Sequence, residues 1–561
     1  MNLKNLRQFA TQNSKLIIAL VSGVLMGVTV APFNVWFLAW FALSPLWVLV
    51  LLHKKSPKIT GKNNISPFSL AILPLLWGIG YHGTALFWIT GIHPMTWMGV
   101  TWLASVAIAF FVWTFITLWG AALVTIWAIS LFWIHQKFTS KNTKSKTLTS
   151  SISSLPPLIR VLIATALWCG LERLWSLGSL WWSSLSYTQS PHNLVILHLG
   201  QLAGTTAITA AIVAINGLIA EAFLAFICNN PHNSTSFQLF VKKSPVTKYL
   251  AIAAGLFITL HIIGYSLYSL PLPQTATTAL KIGIIQGNIP NTIKLFPEGF
   301  RRAIQGYTNG YLTLAAQNVD AVLTPEGALP FYLRDIQQGS LVKAIREKGV
   351  VAWVGGFGER GNSYNNSLFT FTGKGEVFSR YDKHKLVPLG EYIPFEEILG
   401  GIINRLSPLE AHQVPGASNQ LFNTPFGRAI VGICYESAFP EQFRRQAAAG
   451  GEFILSAANN AHYSKAMPAQ HHAQDIMRAI ETDRWAVRAT NTGYSGFVNP
   501  HGKTLWISGH NTYETHAETI YKQQTKTLYV RWGDWLTPSL LGLSILALCL
   551  HIFSQKDDFH Q

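Results

Sequence analysis

Val431-Gly-Ile-Cys434-Tyr-Glu436 sets a cysteine at the end of a short apolar run, Ala429-Ile-Val-Gly-Ile433, with a carboxylate two residues on. The run has the length and β-branched content of a buried strand. The other cysteines, Cys169, Cys228 and Cys549, lie within or at the end of long apolar runs. Only Cys434 sits in a polar strand-and-loop region. A lone cysteine at a strand end, facing polar loops, is where a nucleophile sits. The competing reading is a buried structural cysteine, because a free thiol usually packs as a small hydrophobe.

The surroundings decide between these readings. Of the 561 residues, 49% are hydrophobic and only 12% are charged, against about 25% charged in ordinary soluble chains. With 20 Trp and 32 Phe, the composition is that of a membrane protein, at least in part. The net charge of +17 is not a nucleic-acid signal, since no fold or aromatic pattern for such binding accompanies it. Most of it lies in four short segments free of acidic residues: Lys4, Arg7 and Lys15; Lys54, Lys55, Lys58 and Lys62; Lys137, Lys141, Lys144 and Lys146; Lys242, Lys243 and Lys248. Each abuts a long apolar run, the arrangement that turns loops toward the cytoplasm.

A bilayer span needs about 20 apolar residues. Such runs cover residues 15–31, 34–52, 70–91, 98–134, 157–175, 193–227, 249–268 and 536–553. If the N-terminus is cytoplasmic, all four basic segments fall on one side. The Trp-rich loop around Trp175, Trp181 and Trp182 falls on the other, at a lipid surface that suits aromatic residues. Residues 278–530 are then extracytoplasmic, and the last run returns the C-terminus to the cytoplasm. The first run has the basic start and apolar middle of a signal peptide. It lacks an obvious small-residue cleavage site, so it reads as a retained anchor. The expected division is a membrane domain over 1–277 with seven spans, a catalytic domain over 278–530, and a final span with a short tail over 531–561.

Within 278–530 the apolar runs shorten to strand length: Ala279–Gln286, Ala321–Thr324, Val350–Val354, Ser367–Phe371, Ala429–Ile433, Glu452–Ser456 and Ala486–Thr490. Helical patterns over Ala303–Gln317 and Ala469–Arg484 intervene. This predicts a mixed α/β domain large enough for one substantial core. Cys434 is its only cysteine, so no internal disulfide can form even in an oxidising compartment. An exported domain that keeps one unpaired thiol weighs against a merely structural role.

Two further stretches match that of Cys434. Thr324-Pro-Glu326 ends a strand in a carboxylate, and Tyr381-Asp-Lys383 ends one in a lysine before the Gly/Pro-rich Leu386–Pro394. Reactive groups just past extended runs are the habit of α/β enzymes. A thiol needs a base, and a tetrahedral intermediate needs a positive or N–H donor. Glu326, Lys383 and Cys434 supply these types, although such spacing alone is weakly specific.

Together, Gln286-Gly-Asn-Ile-Pro290, Thr324-Pro-Glu326, Tyr364-Asn365, Tyr381-Asp-Lys383, Leu386-Val-Pro-Leu-Gly-Glu391-Tyr-Ile-Pro394, Ile433-Cys434-Tyr-Glu436, Gln470-His471 and Arg488-Ala-Thr-Asn-Thr-Gly493 resemble the nitrilase (carbon–nitrogen hydrolase) superfamily. More narrowly, the chain is similar to the apolipoprotein N-acyltransferases of the bacterial inner membrane over nearly its whole length. The resemblance implies a multi-span α-helical membrane domain with a periplasmic nitrilase-like α/β domain, an αββα sandwich. It implies Cys434 as nucleophile, Glu326 as general base and Lys383 as the oxyanion donor. Glu391 would be a supporting carboxylate, with Tyr435 and Glu436 shaping the pocket. The implied reaction moves a fatty acyl chain from a membrane phospholipid, through a thioester on Cys434, to the α-amino group of a diacylglyceryl-cysteine apolipoprotein. A monomer without cofactor or metal is expected.

Some positions depart from the family pattern. Family members commonly carry His where this chain has Lys385, which makes Lys385 a rival to Lys383; the eight-residue spacing to Glu391 favours Lys383. Leu295 and His462 stand where the family often has Trp. His462, His471 and His472 match no common metal-ligand spacing. Glu172 and Arg173, near the outer end of the 157–175 run, read either as functional or as ordinary interfacial charges, and His82 reads as a helix-packing or interfacial residue rather than a ligand. The rival enzyme reading is a membrane-tethered amidase or nitrilase with water as second nucleophile. A transporter or receptor with an outer binding domain would leave Cys434 dispensable.

Overall fold

The computed structural model describes residues 3–53, 67–139, 155–229, 245–361, 363–388, 390–392 and 413–557. Lys54, Lys55, Lys58, Lys62, Lys141, Lys144, Lys146, Lys242, Lys243 and the Ile393-Pro394 end of the Gly/Pro-rich motif lie outside the described residues.

The N-terminal region is helical: α1 (Leu3–Gly27), α2 (Ser44–Leu51), α3 (Pro67–Ala85), α4 (Trp102–Thr139), α5 (Pro157–Leu177), α6 (Thr205–Asn229) and α7 (Pro245–Tyr268). Four helices among the described residues are long and apolar enough to cross a membrane, within α4, α6, α7 and a C-terminal helix over Leu536–Asp557. Their outward faces are apolar: Leu103, Phe110, Phe111, Ile258, Ile262, Ile545 and Leu550 are all exposed. Water would penalise such a surface, and lipid does not. Small residues let α1 and α3 touch backbone to backbone. A Cβ on Gly23 would stand 2.1 Å from the Trp77 carbonyl oxygen, and one on Gly80 2.5 Å from that of Leu20.

Several of the expected continuous runs are broken, among them 70–91, where α3 ends at Ala85 and a 3₁₀ turn follows at Phe87–Ile92. Residues 34–52 form a 3₁₀ turn at Trp36–Trp40 and then the eight-residue α2. Residues 193–227 form single turns at Leu194–Leu197 and Gly200–Ala203 before α6 begins. Gly204 makes the break in 193–227: its φ is +66°, and a Cβ there would stand 2.6 Å from the Tyr529 ring. A broken helix in an apolar setting must find partners for its freed backbone groups. Asn216 of α6 supplies them at the break in 34–52. Its Oδ1 accepts from the amides of Leu43 (2.9 Å) and Ser44 (3.0 Å), and its Nδ2 donates to the Ala39 carbonyl (2.8 Å). Asn216→Leu keeps the branched shape and removes all three bonds. It is expected to destabilise the detergent-solubilised protein by about 3 kcal/mol. An unchanged Tm would show that the break is held some other way.

Residues 279–521 build two six-stranded sheets. The first has the order β12 (Glu514–Tyr521), β1 (Ala279–Gln286), β2 (Ala321–Leu323), β3 (Val351–Arg360), β4 (Ser363–Phe371), β5 (Val377–Asp382). The second has the order β11 (Thr504–Ile507), β10 (Gly496–Val498), β9 (Ala486–Thr490), β8 (Phe453–Ala458), β7 (Gly427–Ile433), β6 (Phe422–Thr424). β1, β2 and β3 run parallel, as do β7, β8 and β9.

Alternation along each strand explains the layers. In β7, Ala429, Val431 and Ile433 enter the core between the sheets, with Leu323 and Trp353 from the first sheet and Leu455 and Val487 from the second. Ile430 points the other way, onto Phe443 and Ala447 of a helix over Pro440–Ala448 and Ile476 and Ile480 of a helix over Ala466–Thr482. Gly432 also faces outward, and a Cβ there would overlap the Phe443 ring. Buried on both faces, the strand reads as an unbroken apolar run. On the first sheet, Val322, Ala352 and Val354 face helices over Pro297–Ala315 and Ser340–Lys348. The result is the expected nitrilase-like sandwich of helix, sheet, sheet, helix. The helix layer on the second sheet shares one hydrophobic cluster with Leu197, Leu199, Ile208 and Ile212 of the helical region. The sandwich therefore sits on the apolar helices through that layer.

Candidate active site

The chain leaves four strands at the same end of the sandwich and places a polar side chain each time. β2 is followed by Thr324, Pro325 and Glu326; β5 by Lys383; β7 by Cys434; β8 by Asn459. Glu326 is pinned by its approach. The Thr324 amide donates to the Trp353 carbonyl (2.9 Å), its hydroxyl accepts from the Gly355 amide (3.0 Å), and Gly355 has no room for a Cβ against the Pro325 oxygen. Lys383 is fixed by its own amide, which donates to the Asn366 carbonyl (2.8 Å). Cys434 turns out of β7 into a 3₁₀ turn with φ +52°. That left-handed conformation costs a side-chain-bearing residue about 1–2 kcal/mol, and such outliers gather where function over-determines the backbone.

Two side chains hold this turn. Buried Glu436 accepts from the amides of Ile433 (2.8 Å), His384 (2.7 Å) and Lys385 (3.1 Å). It thereby ties the cysteine turn to the segment that carries Lys383. His471 lies 2.7 Å through Nε2 from the Cys434 carbonyl, and its Nδ1 faces Arg488 at 2.6 Å. A guanidinium can only donate. Nδ1 must therefore accept, and Nε2 carries the proton given to Cys434. Burial and the Arg488 charge push the imidazole down to about 3, so it stays neutral in this tautomer.

The charged centre is compact. Lys383 Nζ lies 2.8 Å from Glu326 Oε1 and 2.6 Å from Glu391 Oε1, and the lysine is fully buried. Glu326 also accepts from Asn366 Nδ2 (2.7 Å) and from the Asn459 amide (2.8 Å). Burial favours the neutral Glu326 acid. Lys383 and then Lys294 outweigh burial and leave its carboxyl below the usual range. Burial alone would lower Lys383, but Glu326 and Glu391 hold it well above the ordinary lysine value. Glu391 is raised, chiefly by burial. Burial, then the Glu326 charge, push the Cys434 thiol up to about 12. The resting arrangement is a protonated thiol beside a charged carboxylate that an ammonium braces. Nζ has three donors and spends two on carboxylates, so one is left for a developing oxyanion.

The sequence-predicted residues are thus brought together: Glu326, Lys383, Glu391 and Cys434 form one cluster. Lys385 is not part of it. Its ammonium lies over the Phe439 ring, 4.8 Å from the centroid, a cation–π contact. Tyr435 and Glu436 shape the surroundings differently from one another. The Tyr435 hydroxyl lies 2.7 Å from the carbonyls of both Ser179 and Trp181, and its ring stacks parallel to Trp182. It joins the nucleophile's turn to the Trp-rich loop of the helical region. Glu172 braces that loop by accepting from the Leu185 amide, Ser184 and Trp168, while Arg173 pairs with Asp534 at 3.0 Å. His82 is buried against α4, and a Cβ on Gly120 would run into its ring. Sequence reasoning passed over Lys294, Asn366 and Asn459. Lys294 and Asn459 adjoin positions singled out only as departures, and Asn366 follows the Tyr364-Asn365 motif; no local pattern marks any of them as polar lining.

The carbon–nitrogen hydrolase family model matches residues 281–527, and the apolipoprotein N-acyltransferase N-terminal domain model matches residues 22–218. A Nostoc sp. protein named apolipoprotein N-acyltransferase is 62% identical over 95% of this chain and 98% of its own. A Synechocystis sp. protein of the same name is 46% identical over 93% and 98%. Among solved structures, an amidase from Nesterenkonia sp. aligns over 47% of this chain and 97% of its own, with 19% identity and a TM-score of 0.34. The fold and the sandwich's family match define an enzyme with a carbon–nitrogen hydrolase-type domain joined to an apolar helical region. The chain belongs to the apolipoprotein N-acyltransferase family.

Proposed function

We propose that this protein transfers a fatty acyl chain from a membrane phospholipid to the α-amino group of a diacylglyceryl-cysteine lipoprotein, through a thioester on Cys434. The observation that carries the reading is the Cys434–Glu326–Lys383–Glu391 cluster on a turn that Tyr435 fastens to the apolar helical region. In the first step Glu326 takes the thiol proton as sulfur attacks the ester carbonyl. Lys383 receives the oxyanion with its free N–H. The tetrahedral intermediate collapses, the ester C–O bond breaks, and Glu326 returns the proton to the departing lysophospholipid alkoxide. In the second step the lipoprotein amine attacks the thioester, Glu326 accepts its proton, and the amide forms as Cys434 regains its thiol.

Both substrates are lipid-anchored, so the site works at a membrane surface. In this reading the chain has seven spans over 1–277, a catalytic domain over 278–530 and an eighth span, and that surface is the periplasmic face of the bacterial inner membrane. Both termini are then cytoplasmic. The chain acts as a monomer.

Intact-mass measurement after incubation with phospholipid tests the reading. A fatty-acyl mass on Cys434 that a peptide amine removes, and water does not, is the expected result. Fast loss of the adduct to water would instead make the protein a hydrolase, and no adduct at all would overturn the thioester.

A further inference from the structure

A further buried cation stands beside the charged cluster, where its charge helps to hold the Glu326 carboxyl down. Lys294, on the short helical turn Asn291–Lys294, is buried, and among the described residues its ammonium makes one hydrogen bond, 3.3 Å to the Glu326 carbonyl oxygen. Gly327 lies beside it: a Cβ there would stand 3.4 Å from Nζ. An ammonium has three donors, so two remain without a partner among the described residues. One turn back, Asn291 reaches the same wall of the site. Its Oδ1 accepts from Asn459 Nδ2 (3.2 Å), and the Asn459 amide donates to Glu326. The Asn291 Nδ2 is buried with no partner among the described residues. A native interior seldom leaves such donors unmatched, and two on one wall beside the nucleophile call for an acceptor with several charged oxygens.

We infer that Lys294 and Asn291 form an anion subsite that receives the phosphodiester of the acyl-donor phospholipid. The inference rests on the phospholipid-donor reading above. A phosphodiester lies one or two glycerol carbons from the esters, so an anchor beside Cys434 presents an ester carbonyl to sulfur. The acceptor's diacylglyceryl-cysteine has no phosphate, and the subsite therefore separates donor from acceptor. Lys294's own balance agrees. Burial pushes its ammonium down to about 8, and Glu326 and Cys434 only partly oppose this. A bound phosphate would hold the proton on.

The test follows Cys434 acylation of the full detergent-solubilised chain by intact mass, with phosphatidylglycerol and with diacylglycerol of the same acyl chains. Lys294→Met and Asn291→Ala are each expected to raise the phosphatidylglycerol concentration for half-maximal rate about 10-fold or more, with a much smaller effect for diacylglycerol. Lys294→Arg should restore most of the loss. In the unmodified protein, half-saturation by phosphatidylglycerol should rise above about pH 8 as Lys294 loses its proton, and Lys294→Arg should remove that rise. Equal losses with both donors would overturn the subsite. An unmodified chain acylated by neither donor would overturn the acyl-enzyme reading beneath it.

Discussion

Cys434→Ser is expected to lower acyl transfer by about 10⁴-fold or more, with no acyl mass on the protein. The thiol is already hard to ionise in this setting, pushed up to about 12 by burial and by Glu326. A hydroxyl is harder still, and Glu326 is a carboxylate held below its usual range, too weak a base to draw a proton from it. The cysteine works because its thiol loses the proton as the carbonyl carbon arrives and Lys383 meets the oxyanion. The fold should survive. The described hydrogen bond of the Cys434 side chain is a weak one, to the Asn459 carbonyl at 3.9 Å, so Tm should move by no more than about 2 °C. A structural cysteine predicts the reverse: a large fall in Tm and activity that returns once the protein is folded.

The parts of this site that were legible in the sequence are those where strand and residue type coincide. Ala429–Ile433 reads as a buried strand because its alternate residues pack on opposite layers, and the polar group after it stands out. The same contrast marks Glu326 after Ala321–Leu323 and Lys383 after Val377–Asp382. Choosing Lys383 over Lys385 rested on the eight-residue spacing of Lys383 to Glu391 in the resembled motif, since strand alternation does not separate positions two apart. Lys294, Asn366 and Asn459 were hidden because their roles come from loops far apart in the chain; Asn459 follows Glu326 by 133 positions. Strands β6, β10, β11 and β12 also escaped notice. β6 and β10 are only three residues long, and β11 and β12 are half-exposed.

The helical region misled in one respect. A hydropathy run counts apolar side chains and is blind to the backbone. Residues 34–52 and 193–227 are apolar throughout most of their length and still break, because Asn216 and Gly204 make the breaks tolerable. Asn216 in the middle of α6 was the available signal. Its amide side chain has no reason to sit among apolar residues unless a backbone elsewhere needs it.

Glu326→Gln is expected to slow acylation about 10³-fold, the range for loss of a general base, and to disturb more than the base. Oε1 accepts from Lys383 and Asn366, while Oε2 accepts from the Asn459 amide. A glutamine has one acceptor oxygen, so whichever side receives its NH₂ faces a donor. Lys383 also loses one of the two carboxylates that hold its proton. The stability lost should be about 1–3 kcal/mol, greatest near neutral pH. Glu326 is held below its unfolded value, so its contribution is complete above about pH 4.5 and disappears as pH falls through the folded value. The Tm gap between Glu326→Gln and the unmodified protein should therefore narrow in acid. Acylation by the unmodified protein should show no acid limb between about pH 5 and 7, since Glu326 remains charged throughout that range. An acid limb at pH 6 that Glu326→Gln abolishes would mean that the carboxyl is raised rather than lowered, and that Lys383 and Lys294 do not govern it.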